Sequence, residues 1–335
     1  MTVRPTVVLV GGIYHADGEK LLRAAADVVT LANPKPTEIA AALASAHGAI
    51  VRYPHRIDAT ALAGAGSLAI VASSGRGTDS IDVAACTERG VVVVNNPGLG
   101  TIPVSEHAVA MMLSLSRRLE LSDRAVRAGG AWGKRTEFNV CDVNGRTLGV
   151  VGLGLIGSEM TRKCVAAFGM KVLTYDPYVA PEKADALGAT MLSSLDELLA
   201  RSDVVSVHAE LNESSRGMIG EAQLRRMQPH AFLINTARGK VVQQQALERA
   251  LAEGWIAGAA LDVFEEEPLA EPSPLWKLDN MILTPHVAGL SGDALRELAL
   301  SAVTQVLQVI AGERPRSLVN PAAWNAAMAR LVRTA

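Results

Sequence analysis

Cysteine is scarce in this 335-residue chain, and its three copies, Cys86, Cys141 and Cys164, stand far apart. No Cys-x-x-Cys pair and no histidine spacing suited to zinc is present, which counts against a metal centre and a disulfide framework and fits a reducing cytoplasm. Long apolar runs are missing too: nothing approaches the roughly 18 to 20 uninterrupted apolar residues that a membrane span requires. The opening MTVRPTVVLVGG runs straight into a strand-like segment, without the apolar region and cleavage site of a secretory signal. A mature N-terminus and a soluble protein are expected. Charge of one sign is also absent. The formal net charge is −2 with acids and bases interspersed, so no basic stripe exists to hold a phosphate backbone. Nucleic acid and membrane drop out as partners, and no low-complexity tract or short-period repeat suggests a solenoid.

What the chain does have is rhythm. Its length suits two domains, each able to bury its own core. Short β-rich apolar runs at Val7–Val10, Ala49–Arg52 and Leu68–Ala72 alternate with amphipathic segments at Lys20–Val29, Ala59–Ala63 and Ile81–Arg89, and Val91–Asn95 closes the series. That alternation predicts parallel sheet. Turn chemistry at Asn96-Pro97-Gly98-Leu99-Gly100 places a hinge near Gly100. A helix is then predicted from Val104 to Arg127, with Val104, Ala108, Met111, Met112 and Leu115 on one stripe. Core packing is the plainer reading of that stripe, and a dimer interface is the other. A second series starts at Thr147, with strands predicted at Gly149–Gly152, Lys171–Asp176, Asp203–His208, Ala231–Asn235, Ala257–Val263 and Met281–Thr284. A further helix is expected over Asp293–Ala311, followed by a tail that returns to the first domain.

The second series opens with a dinucleotide fingerprint. Gly152, Gly154 and Gly157 spell Gly-x-Gly-x-x-Gly between an apolar run and a helical pattern. Gly152 permits the tight turn, Gly154 admits a pyrophosphate to the backbone, and Gly157 lets helix pack on strand. The helix start, with Leu155 and Ile156, offers unpaired N–H groups to phosphate. The motif alone is weak. Asp176, 24 positions after Gly152 at the end of the next strand, strengthens it, because a carboxylate there accepts both ribose hydroxyls and repels a 2′-phosphate. No arginine follows Asp176 directly, which favours NAD over NADP.

Ligands of open α/β sheets bind beyond the carboxyl ends of the strands, and three ionisable residues fall there. Arg238 follows the strand ending at Asn235, Glu267 follows the strand containing Asp262, and His286 follows Leu283-Thr284-Pro285. Reducing a 2-oxo acid requires a cation for the carboxylate and polarised carbonyl, and an acid for the developing alkoxide. A planar guanidinium bridges such oxygens through charge-assisted bonds worth about 1.5 to 3 kcal/mol each. Histidine exchanges protons near neutral pH, and a carboxylate on its other nitrogen fixes the ring and favours the imidazolium. Taken singly, Arg238 reads equally as a surface ion-pair partner, Glu267 as one of three solvated acids, and His286 as packing behind Pro285.

Together with Gly75-Arg76-Gly77-Thr78-Asp79, Asn96-Pro97-Gly98, Ser105-Glu106-His107, Tyr175-Asp176-Pro177, Asn235-Thr236-Ala237-Arg238-Gly239, Asp262-Val-Phe-Glu-Glu-Glu267-Pro268 and Leu283-Thr-Pro-His286, these residues resemble the D-isomer-specific 2-hydroxyacid dehydrogenases over nearly the whole chain. That family includes phosphoglycerate dehydrogenase and hydroxypyruvate reductase. The resemblance implies two doubly wound parallel-sheet α/β domains with a cleft between them: a flavodoxin-like substrate domain from residues 1–100 and 289–335, and a Rossmann NAD-binding domain from 101–288. It implies a homodimer, and Arg238, Glu267 and His286 as the catalytic set. Thr236, Ala237 and His208 would lie on the cofactor side, and Asp262 would hold the nicotinamide carboxamide, unless it is simply a strand-end acid in a turn. Gly75, Arg76 and Gly77 would cradle the substrate carboxylate, with Arg52 and Tyr53 in the same substrate loop region.

The sequence departs from the family pattern twice. Arg76 stands where a small or apolar residue is usual, and Arg52-Tyr53-Pro54-His55-Arg56 adds cations and an aromatic ring, which suits a larger or doubly charged acid unless Arg56 and Arg76 merely face water. Glu210 replaces the proline usual after His208-Ala209, removing its fixed φ from the cofactor edge. The chain stops at Ala335, so the regulatory domain of some phosphoglycerate dehydrogenases is not expected. Other readings on this scaffold are a formate or phosphite dehydrogenase, the former disfavoured by Glu267, and a dinucleotide-sensing corepressor.

Overall fold

A computed structural model describes residues 4–334, which form two compact units: one from the N-terminal segment up to Gly100 plus Leu290 onwards, the other from Thr101 to Gly289. In the first, β1 (Thr6–Val10), α1 (Ala16–Ala25), β2 (Asp27–Leu31), α2 (Pro36–Leu43), β3 (Gly48–Val51), β4 (Ile70–Ser73), α3 (Val83–Glu88) and β5 (Val92–Val94) follow in order. The five strands are all parallel, in the order β2-β1-β3-β4-β5, the flavodoxin-like winding. Both faces are covered, which is why the strands read as unbroken apolar runs. Along β1, Val8 and Val10 enter one core while Val7 and Leu9 enter the other. Each fully buried aliphatic side chain of this kind contributes about 1.5 to 3 kcal/mol relative to exposure.

The second unit begins with α4 (Thr101–Arg117) and α5 (Leu119–Ala128). The single helix predicted over 104–127 is thus two, broken at Arg118, whose φ is 49°. There the Arg118 guanidinium lies over the Phe232 ring and reaches the Ala257 carbonyl at 3.4 Å. Then come β6 (Thr147–Val151), α6 (Leu155–Phe168), β7 (Lys171–Tyr175), α7 (Pro181–Asp185), β8 (Ala189–Met191), α8 (Leu195–Arg201), β9 (Val204–Val207), α9 (Glu221–Leu224), β10 (Phe232–Asn235), α10 (Gln244–Ala252), β11 (Gly258–Leu261) and β12 (Met281–Leu283). Their parallel order is β12-β11-β10-β9-β6-β7-β8. This is the Rossmann order with a seventh strand, and the winding reverses between β6 and β9.

The chain then re-enters the first unit. There α11 (Gly292–Ile310) packs on α1, β3 and β4, and α12 (Trp324–Thr334) ends the chain. Leu318 bridges β5 at Val94, and Asn320 accepts the Val93 N–H at 2.7 Å.

Besides the helix over 104–127, two sequence expectations need revision. Lys20–Val29 is not one amphipathic segment, since α1 stops at Ala25 and Val28 and Val29 lie in β2. Residues 59–63 form a turn capped by Asp58, whose carboxylate accepts the Ala61 N–H at 2.9 Å, and not a helix. Helix α2 and strand β8 were not anticipated. No helix among the described residues is long and apolar enough to cross a membrane.

Candidate active site

In the second unit the carboxyl ends of β6 and β9 lie side by side where the winding reverses, and the glycine loop sits there. Gly152 has φ +94°, and a Cβ on it would lie 2.7 Å from the Ala209 nitrogen; one on Gly157 would lie 2.1 Å from the Gly152 carbonyl oxygen. Gly154 caps α6 and faces open space. The first hydrogen bond back to this cap is donated by Ser158 N–H to Gly154 O at 3.0 Å, which leaves the N–H groups of Leu155 and Ile156 ahead of the helical ladder. Asp176, just past β7, accepts the Leu153 N–H at 2.8 Å and the Tyr178 N–H at 3.0 Å, which ties the carboxylate to the glycine loop. Lys183 donates to the Leu153 carbonyl at 2.6 Å. Sequence reasoning missed this lysine, because no motif places α7 over the loop.

Two orphaned polar atoms mark the same edge. His208 donates or accepts through Nε2 with Ser206 Oγ at 2.9 Å, while its Nδ1 is buried without a partner, and burial pushes its pKa down to about 4. It is a neutral imidazole at physiological pH. The Thr236 hydroxyl at the end of β10 is likewise buried and unpartnered. Buried polar atoms are rarely left unpaired. Together with the open Gly154 cap and the Asp176 carboxylate, these donors and acceptors fit a dinucleotide.

The chemistry-bearing side chains stand on the next strand ends along the sheet. Asn235, wholly buried, accepts the Ala237 N–H at 3.0 Å and donates to the Arg238 carbonyl at 3.0 Å, shaping the turn that delivers Arg238. The guanidinium also donates to the Ala237 carbonyl at 2.7 Å. A Cβ on Gly239 would fall 1.9 Å from the Phe264 carbonyl, so the β10 loop touches the β11 loop backbone to backbone. On that second loop Glu267 accepts the Phe264 N–H through Oε1 at 2.8 Å and meets His286 Nδ1 through Oε2 at 2.7 Å. Glu267 is largely enclosed, whereas the His286 side chain keeps 38% of its surface. With Nδ1 given to Glu267, exchange with a ligand falls to Nε2.

The Glu267 hydrogen bond raises the His286 pKa above its ordinary value, against desolvation and the nearby Arg238 charge, which lower it. The structure thus brings Arg238, Glu267 and His286 into one electrostatic neighbourhood. Asp262, at the end of β11, sits in the same neighbourhood. It is 0% exposed, and its carboxylate accepts from Thr284 Oγ1, Val287 N–H and Ala288 N–H. Glu210 is exposed beyond β9, on the segment leading to Asn212 and Ser215.

The remaining candidates belong to the first unit and lie at the carboxyl ends of the neighbouring strands β3 and β4. Arg52 is half-buried over the Tyr14 ring, 5.3 Å from its centroid, and Tyr53 is 40% exposed. Gly75, Arg76 and Gly77 form a braced turn. Ser73 Oγ accepts the Gly75 N–H at 3.2 Å and donates to Gly77 O at 2.6 Å, and Asn95 donates to Arg76 O at 2.7 Å.

The glycine loop at the winding reversal defines a dinucleotide-binding fold, with Glu267 and His286 three and four strands along the same sheet from β6. Comparison with known proteins narrows the class: the NAD binding domain of the D-isomer specific 2-hydroxyacid dehydrogenases matches residues 109–288. A D-3-phosphoglycerate dehydrogenase of Archaeoglobus fulgidus is 39% identical over 81% of this chain and 51% of its own length. A glyoxylate reductase of Korarchaeum cryptofilum is 44% identical over 79% of this chain and 80% of its own. Among solved structures, D-mandelate dehydrogenase of Rhodotorula graminis matches with a TM-score of 0.86 and 30% identity, covering 95% of this chain and 98% of that one. The chain belongs to the D-isomer specific 2-hydroxyacid dehydrogenase family. It spans about half the length of the Archaeoglobus relative.

Proposed function

We propose that this protein interconverts a 2-oxo acid and its D-2-hydroxy acid, with NAD(H) held by Gly152, Gly154, Leu155, Ile156, Gly157, Asp176, His208, Thr236, Ala237 and Asp262. When bound there, NAD(H) would supply or accept the hydride at C2, and the chain's own residues do the rest. Arg238 orients the carboxylate and polarises the 2-oxo group through a planar, charge-assisted fork. His286 Nε2 gives its proton to the developing alkoxide, or takes it from the alcohol in the reverse direction. Glu267 fixes the ring and stabilises its protonated form. One observation carries the reading: the 2.7 Å contact between His286 Nδ1 and Glu267 Oε2, with Arg238 close enough to lower the same imidazole's pKa.

For the first unit, Arg52, Tyr53, Gly75, Arg76 and Gly77 on the β3 and β4 loops are proposed as substrate-binding residues. Two arginines there favour acids carrying a second negative group. The relatives' names cover a small, a phosphorylated and an aromatic acid, consistent with specificity set outside Arg238, Glu267 and His286. The α5 helix buries none of its residues and Trp132 beyond it is 78% exposed, which supports a homodimer formed through this segment.

Steady-state oxidation of NADH is the test, with glyoxylate, pyruvate, hydroxypyruvate and bulky 2-oxo acids. NAD reduction with 3-phosphoglycerate, formate and phosphite completes the panel, and Arg52→Gln and Arg76→Gln variants run alongside. Turnover on at least one 2-oxo acid is expected, with the two variants raising KM for doubly charged acids above all. Tight NADH binding with no turnover on any of them overturns the proposal.

A further inference from the structure

We propose that His107, on α4, is a positioning residue for the reaction, holding the His286 loop in register through Thr284 and the buried carboxylate of Asp262. The inference rests on the reading of His286 as the acid/base.

His286 has φ +54°, in the left-handed region that non-glycine residues seldom occupy. Such a backbone persists only where its surroundings over-determine it. The surroundings here are dense. The His286 N–H donates to the Asp262 carbonyl at 2.8 Å and to the Thr284 carbonyl at 3.0 Å. The Asp262 carboxylate, 0% exposed, takes the Val287 N–H on Oδ1 and the Ala288 N–H on Oδ2, each at 2.9 Å, and the Thr284 hydroxyl on Oδ1 at 2.6 Å. The residues before and after His286 are therefore anchored on one buried anion.

His107 enters at the far side of this cluster. Its Nε2 lies 3.0 Å from Thr284 Oγ1 and 3.7 Å from Asp262 Oδ1. Proton counting sets the direction of the chain. A threonine hydroxyl has a single proton, and at 2.6 Å from an ionised carboxylate, which only accepts, that proton is committed to Asp262. Thr284 Oγ1 then has only lone pairs to offer His107, so Nε2 of His107 carries a proton. The relay of donors runs from His107 to Thr284 to Asp262. Removing its first member frees the hydroxyl to turn away and leaves a wholly buried carboxylate a donor short.

The loop then loses the anchor that sets the His286 backbone, and with it the alignment of Nδ1 on Glu267. The charged groups facing His286 are Glu267 from the β11 loop, Arg238 from the β10 loop and Asp262 at the end of β11, with His107 of α4 beyond Thr284. The three members sit in three separate sequence motifs, and only the fold brings α4, β11 and the segment after β12 together.

The test uses the full chain with His107→Leu and Thr284→Val, which remove the relay, and His107→Gln and Thr284→Ser, which keep a donor at each place. Three quantities are read: kcat, the NADH dissociation constant, and the midpoint of the His286 imidazole titration by NMR, its signal assigned by its loss in His286→Asn. His107→Leu and Thr284→Val are expected to lower kcat by roughly 10- to 100-fold, the scale of a misplaced catalytic group. They should leave NADH binding intact and lower the His286 midpoint, while His107→Gln and Thr284→Ser recover both kcat and midpoint. Should His107→Leu fail to fold, Thr284→Val carries the same comparison. A folded variant lacking the relay but with the parent's kcat and midpoint overturns the proposal, and so does a fall in kcat with the midpoint unmoved. The NMR midpoint needs no turnover, so a parent chain inactive on every acid defeats the proposed function and still leaves the relay open to this test.

Discussion

Gly239 and Phe264 touch so closely that a single added methyl group on the glycine would sit 1.9 Å from the phenylalanine's carbonyl carbon and oxygen. That contact locks the loop carrying Arg238 against the loop carrying Glu267. The atom in the way is backbone, so no rotamer change relieves it. Gly239→Ala should therefore cost at least about 2 to 3 kcal/mol, the upper range for overpacking. Chemical denaturation checks the loss, and activity should fall further than stability alone accounts for, because the guanidinium is displaced with the loop.

His286 and Glu267 set the pH dependence. The carboxylate raises the imidazole's pKa above its ordinary 6.5, so the protonated form persists to higher pH than in a solvated histidine. Reduction, which consumes that proton, should hold at low pH and decline as pH rises through the raised value. The pair's contribution to stability has the same sign: present in full below the unfolded value and lost as pH climbs through the folded one. Glu267→Gln should move the reduction midpoint down, visible in kcat/KM profiles. An unmoved profile refutes the coupling. His286→Asn should cost roughly 10²- to 10⁴-fold in kcat with cofactor binding retained.

Asp176 should decide between cofactors. Its carboxylate is already tied to the Leu153 and Tyr178 N–H groups, and the geometry leaves acceptor capacity for ribose hydroxyls. Asp176→Ala should weaken NADH binding by roughly 10- to 100-fold, the equivalent of one charge-assisted hydrogen bond. It should also narrow the gap to NADPH. Fluorescence titration with both nucleotides measures each.

The cysteines should respond unequally to thiol reagents. Burial pushes Cys86 and Cys164 up to about 12, whereas Cys141 is only half-buried. At pH 8 the native protein should react quickly through one thiol and the unfolded chain through three. Counting labelled thiols by mass spectrometry distinguishes the two states.

Much of this architecture could be read from residues alone, because parallel strands covered on both faces leave apolar runs such as Val7–Val10 and Ala231–Asn235. The misses lie where that signal fades. Strand β2 is an edge with mostly exposed or half-exposed residues, so Val28 and Val29 read as an extension of the preceding helix. Strand β8 is three residues long on an edge of the seven-stranded sheet. The break at Arg118 carries no glycine or proline to announce it. In the site, Arg238, Glu267 and His286 were legible because each follows a recognisable strand. The burial of Asp262 and the contacts of Lys183 and His107 were not, since they depend on which helix crosses which loop.

Strands β9 to β12 neighbour one another in space in the same succession as in the chain. Within the second unit, a nascent polypeptide therefore supplies the parts of the candidate site from the glycine turn outwards. The glycine turn and Asp176 come first, then Arg238, then Glu267, and His286 comes last. A product terminated before β12 would carry the glycine turn, Asp176, Arg238 and Glu267 yet lack His286.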